Sequence, residues 1–81
     1  MIRIRKVSEQ TEKDLLEINN LIPQLSQSAK LLTKADFTSL LNAESTHLYF
    51  AEDNEQVLGM LSLVTFQIPT GLRGWVEDVG V

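Results

Sequence analysis

Glu77 and Asp78 are the residues best placed to do chemistry, because they interrupt an apolar, strand-like run, Gly74-Trp75-Val76-Glu77-Asp78-Val79-Gly80-Val81. Taking an unpaired carboxylate out of water costs several kcal/mol or raises its pKa. A glutamate held between Val76 and Val79 must therefore lie at an edge, be paired, or be put to use. If desolvated, Glu77 would be suited to accepting a proton, directly or through a water molecule. Strand alternation puts Trp75, Glu77, Val79 and Val81 on one side and Val76, Asp78 and Gly80 on the other, unless the strand bulges. The plainer alternative is that both acids guard an edge strand against pairing with other chains.

Few other residues compete. His47 is the only histidine and could act as a base near neutrality, although a lone histidine at a strand start is more often solvated or capping. Tyr49 could donate a proton only from a cleft; a packed sheet tyrosine is the commoner case. Trp75 could wall a pocket but on a half-buried strand reads as core, and Arg73 beside a turn reads as a solvated charge. The chain holds no glycine-rich phosphate cradle, metal-ligand set or nucleophile motif.

The elements that must position these residues belong to one small domain. A chain of 81 residues removes only about 60% of its unfolded surface from water, so a core is possible but thin. With 43% apolar and 22% charged residues the composition is globular. The formal net charge of −4 provides no field for a polyanion, and Arg3, Arg5 and Lys6 form the only basic cluster, which argues against nucleic acid. The absence of cysteine removes disulfides, thiolate metal sites and cysteine nucleophiles and fits a reducing cytoplasm. No apolar span of membrane length and no cationic leader is present, so neither membrane nor export is expected.

Ile2 and Ile4 alternate with Arg3 and Arg5, and Lys6 and Val7 shift the phase, which predicts a half-buried first strand over Ile2–Val7. Thr11 followed by Asp14 is a helix cap, and Leu15, Ile18, Ile22 and Leu25 recur at spacings of three and four with Leu21 beside them. Pro23 removes an amide late in this helix, which should end near Ile22 or kink and run on. Thr33 and Asp36 cap a second helix carrying Phe37, Leu40 and Leu41 and ending near Asn42. His47–Ala51, a polar turn over 52–55 and the apolar run Gln56–Ile68 read as a hairpin. At roughly 3.3 Å per residue that run would span about 43 Å, so a bulge or bend is expected at Gly59. Its weak alternation predicts cover on both faces. After the turn at Pro69-Thr70-Gly71, Arg73 or Gly74 opens a last strand that stops in mid-run at Val81. Such an apolar edge implies either a truncated domain or one completed by another copy, a homodimer paired through the exposed strand.

The order β-α-α-β-β-β, the long apolar third strand and above all Trp75-Val76-Glu77-Asp78-Val79-Gly80-Val81 resemble the N-terminal half of the GNAT superfamily of N-acetyltransferases, over the whole of residues 1–81. The acidic strand is similar to that of glucosamine 6-phosphate acetyltransferases in particular, and small bacterial acetyltransferases of other substrates share it. The resemblance implies an α+β fold, a mostly antiparallel sheet with helices packed on it. It implies direct transfer of acetyl from acetyl-coenzyme A to the amine of a small molecule or peptide. It also implies that the backbone at Val79 and Val81 holds the pantetheine arm and polarises the acetyl carbonyl. Glu77 then corresponds to an acidic position near the acceptor amine and Asp78 to its acidic or amide neighbour. Gln24–Leu32 corresponds to the variable acceptor-side segment. Gly80 departs from the bulky apolar residue usual there. The pyrophosphate-binding loop that follows this strand in the family is not among these residues, so the chain alone is expected to bind cofactor weakly and to be inactive. The alternative is a non-enzymatic half-domain acting as a strand-paired dimer or partner-binding module.

Overall fold

A computed structural model describes residues 1–80, apart from the side chain of Asp78. The element order is β1 (Ile2–Lys6), α1 (Glu12–Leu25), α2 (Lys34–Asn42), β2 (Thr46–Asp53), β3 (Gln56–Ile68) and β4 (Gly71–Gly80). The four strands form one antiparallel sheet in the order β1-β2-β3-β4, so the α+β class and the order of elements are as expected.

Both helices start where the hydroxyl caps predict. The Asp14 amide donates to Thr11 Oγ1 at 3.2 Å, and Thr33 and Asp36 complete a reciprocal capping box. Pro23 does not end α1, which runs on to Leu25, where the Ser26 amide caps the Ile22 carbonyl at 3.0 Å. Beyond it, the side chain of Asn19 holds the connection to α2 by accepting from the Leu32 amide at 2.8 Å and donating to the Leu32 carbonyl at 3.1 Å.

One core forms where α1 and α2 cover one face of the sheet. Ile18, Leu21 and Phe37 from the helices meet Val7, Leu48, Phe50 and Met60. Because paired residues share a face, Arg5, Phe50, Met60, Ser62 and Glu77 turn toward the helices, and Ile4, Tyr49, Leu61, Leu63 and Val76 turn away. On β1 it is thus the arginine side that meets the helices, while Ile2 and Ile4 are 63% and 71% exposed. An ion triad makes this possible. Arg5 donates to both oxygens of Glu52 at 2.7 and 3.1 Å and to both oxygens of Asp14 at 3.1 and 3.0 Å. Its guanidinium carbon lies 5.4 Å from the Phe50 ring centroid, a cation–π distance.

The bulge expected near Gly59 is present one residue earlier, at Leu58, between the pairs Ala51–Gly59 and Glu52–Val57. The turn before β3 is tighter than the expected polar stretch, with only Asn54 and Glu55 at φ 51° and 69°, the left-handed pair of a two-residue hairpin loop. Cover on both faces of β3 is not found. Met60 and Ser62 are buried under the helices, but Leu61 and Leu63 are half-buried, because no described element packs against their side. β4 begins at Gly71, earlier than expected, since Pro69 and Thr70 suffice for the turn and Gly71 takes φ 140°.

Candidate active site

β4 is an edge strand among the described residues, paired with β3 alone. Its register runs regularly from Ile68–Gly71 to Ser62–Glu77, and the next pair is Met60–Gly80. Two residues of β4, Asp78 and Val79, therefore stand opposite one residue of β3, Leu61. This is a β-bulge, and it disrupts the ladder directly after Glu77.

The bulge reverses the alternation. Gly80, not Val79, returns to the face of Trp75 and Glu77, where it is buried and where a Cβ would come within 3.0 Å of Leu25 Cδ2. Val79 turns to the other face and joins Ile4, Tyr49 and Leu61 around a shallow apolar hollow. Simple strand alternation, which grouped Val79 with Glu77, is corrected by this one inserted residue.

Glu77 is exposed, and its Oε1 accepts a hydrogen bond from the Trp75 indole Nε1, its neighbour two residues back on the same face. The desolvated setting considered for Glu77 is thus absent, because nothing among the described residues covers this end of the edge strand. Trp75 is likewise 58% exposed rather than core. The Asp78 side chain and all of Val81 lie outside the described residues, so the expectations for them are carried by sequence only. Val79 contributes its main chain at the bulge.

The other candidates stand apart. Tyr49 and His47 are half-buried on the opposite face from Glu77, and His47 Nε2 lies 3.5 Å from Thr65 Oγ1. Arg73 is exposed on the Glu77 face opposite Phe66, with Nη1 3.4 Å from the Leu72 carbonyl. No group of three potential metal ligands occurs among the described residues, and no described helix is long and apolar enough to cross a membrane.

Two features were not anticipated. Ser62 faces Glu77 across β3 and β4 and is only 8% exposed; the sign of it was a lone hydroxyl between apolar residues of β3. Asp14, 6% exposed, shares the helical stripe of Ile18, Leu21 and Leu25, and an acid in such a stripe needs a cation. Arg5 is that cation. The hydrogen bonds that Arg5 donates, to Glu52 first and Asp14 second, raise its pKa further, and the same bond from Arg5 is the main reason Glu52 falls below the ordinary carboxylate range.

No protein-family profile and no curated protein matches the sequence. Solved structures do match in shape. An aminoglycoside acetyltransferase from an uncultured soil metagenomic sample, crystallised with sisomicin, superposes with a TM-score of 0.74 at 17% identity, over 99% of this chain and 55% of the other. A transcriptional regulator from Bacillus halodurans gives 0.75 at 19% identity, over 100% and 60%. A predicted acetyltransferase with acetyl-CoA from Clostridium acetobutylicum gives 0.61 at 16% identity, over 98% and 58%. The chain spans little more than half the length of these structures. It shares the fold of the part it covers in these structures, acetyltransferases among them.

Proposed function

We propose that the chain is the amino-terminal portion of an acetyl-coenzyme A dependent N-acetyltransferase that transfers acetyl directly to an amine. The observation that supports it most is the β4 bulge, which takes main-chain groups at Asp78 and Val79 out of the ladder beside an accessible carboxylate, in a fold shared with acetyltransferases. An amide released from strand pairing is an oriented donor at no further cost in reorganisation, which is what a developing negative oxygen requires.

Acetyl-coenzyme A would supply the acetyl group as a thioester: a bond from the amine nitrogen to the acetyl carbon replaces the C–S bond, and coenzyme A leaves as the thiol, taking up a proton in place of the one the amine gives up. In this reading the main chain at Val79 and Val81 holds the pantetheine arm and polarises the acetyl carbonyl. Glu77 takes a proton from the acceptor amine, directly or through water, since only the neutral amine has the lone pair to attack. In the same reading Asp78 is the acidic neighbour of that position. The indole of Trp75 donates a hydrogen bond to Glu77.

The reading frame past Val81 is predicted to enter an Arg/Gln-x-x-Gly-x-Gly/Ala loop. In the protein that carries this loop, Glu77→Gln should lower kcat/KM for the amine by about 10²–10⁴-fold, the usual contribution of a positioned base, with cofactor affinity near normal. An unchanged rate across pH would remove Glu77 from the mechanism. Micromolar binding of acetyl-coenzyme A to residues 1–81 alone would contradict the role given to the loop.

A further inference from the structure

A cavity of about 290 Å³ lies between the C-terminal half of α1, the connection to α2 and the sheet. Its rim is exposed and formed by Ser26, Ala29 and Lys30. Its floor is buried: Ile18, Leu48, Met60 and Ser62 are all 8% exposed or less. The remaining described lining, Ile22, Leu25, Leu32 and Leu40, is aliphatic. At its α2 end the connection is tied to α1 by the two hydrogen bonds between Asn19 and Leu32.

Ser62, on the floor, is the cross-strand partner of Glu77. Neighbouring strands lie about 4.8 Å apart, so the inner end of the cavity is one strand from the Glu77 main chain. Among the described residues no acid lines it, and the one charged residue that does is the cation Lys30. An ammonium group has no partner inside, and a second one would meet Lys30 at the mouth.

We propose that this cavity is the side-chain subsite for the acceptor, and that the acceptor is a primary amine with a single charge and an apolar substituent. The inference rests on the acetyl-transfer reading given above. The substituent fills the space between α1 and the sheet, and the amine points across Ser62 toward Glu77. At about 290 Å³, close to the lower end of the roughly 300–1,000 Å³ usual for small-molecule sites, the cavity suits a small substituent such as a phenylethyl group. Multiply charged amines are excluded.

The test is an amide-resolved NMR titration of the 81-residue chain with 2-phenylethylamine, ethylamine and spermidine. Phenylethylamine should shift the Leu32, Met60 and Ser62 amides, with a Kd at least tenfold below that of ethylamine. Ala29→Phe, at the exposed rim, should abolish those shifts while leaving the rest of the spectrum in place. Lys30→Glu should make spermidine bind about tenfold more tightly, and this surface change does not depend on the tolerance of position 29. Equal affinity for phenylethylamine and ethylamine, or shifts confined to other residues, would overturn the proposal. Acetyl-transfer assays on the loop-bearing protein separate the two readings. Turnover of ethylamine and phenylethylamine at equal kcat/KM sinks the subsite and spares acetyl transfer; occupancy of the cavity without turnover spares the subsite and sinks acetyl transfer.

Discussion

Gly80 lies against Leu25: a Cβ at position 80 would come within 3.0 Å of Leu25 Cδ2 and 3.4 Å of its Cγ. The end of the edge strand is thereby packed under the end of α1, and the contact exists because the bulge at Asp78 and Val79 turns position 80 inward. A bulky residue there would push on the helix end that shapes the rim of the cavity.

Gly80→Val is therefore expected to destabilise the fold by about 1–3 kcal/mol, the usual range for overpacking. Urea unfolding followed by circular dichroism measures it. An unchanged midpoint would mean that β4 does not pack beneath Leu25 in solution.

Arg5→Met removes the shared partner of Asp14 and Glu52 while keeping much of the side-chain volume. Asp14 has 8% of its side chain exposed and Glu52 16%, so both carboxylates are left in poor solvent. Breaking a fully buried pair costs about 3–5 kcal/mol, and the 41% exposure of Arg5 moves the expectation to about 2–3 kcal/mol. Replacing Asp14 and Glu52 as well, by Leu and Gln, should recover most of the loss. Failure of the triple variant to recover would point to the Phe50 contact instead.

Glu52 gives the stability a definite acid limb. Its folded pKa is held below the ordinary 4.5 by Arg5, so the unfolded chain binds the proton more readily. The contribution is fully present above about pH 4.5 and is lost as pH falls through the lower folded value. Glu52→Gln should flatten the fall in unfolding free energy below pH 4.5, read from urea titrations at pH 3 to 6. Identical slopes in the two proteins would exclude Glu52 as the source.

Asn19→Ala removes both bonds to Leu32 and should cost about 1 kcal/mol, with faster hydrogen exchange at the Leu32 amide. Exchange at Phe37, inside α2, should stay slow, because its amide bonds to the Thr33 carbonyl. A uniform loss of protection would show that Asn19 supports the whole fold and not the connection alone.

What could be read in advance followed from interactions close in sequence. Thr11 with Asp14 and Thr33 with Asp36 announce the two helices because a cap satisfies amides within three residues. The apolar periodicity of α1 identified the face that meets the sheet, and the resemblance carried by Trp75–Val81 led to the right fold. Pro23 was the ambiguous case, since a lost amide can be tolerated where a helix has one turn left to run.

Tertiary structure decided the rest, because it turned on pairing between distant residues. Alternation along β1 is indifferent to which face is covered, and only the carboxylates of Asp14 and Glu52 draw the Arg5 side inward. Alternation along β4 holds until one strand contributes a residue more than its partner, so the faces of Val79 and Gly80 depended on Leu61. The cavity beside Ser62 has the same origin: α1, α2 and β3 are separately ordinary, and the space between them exists only once they pack.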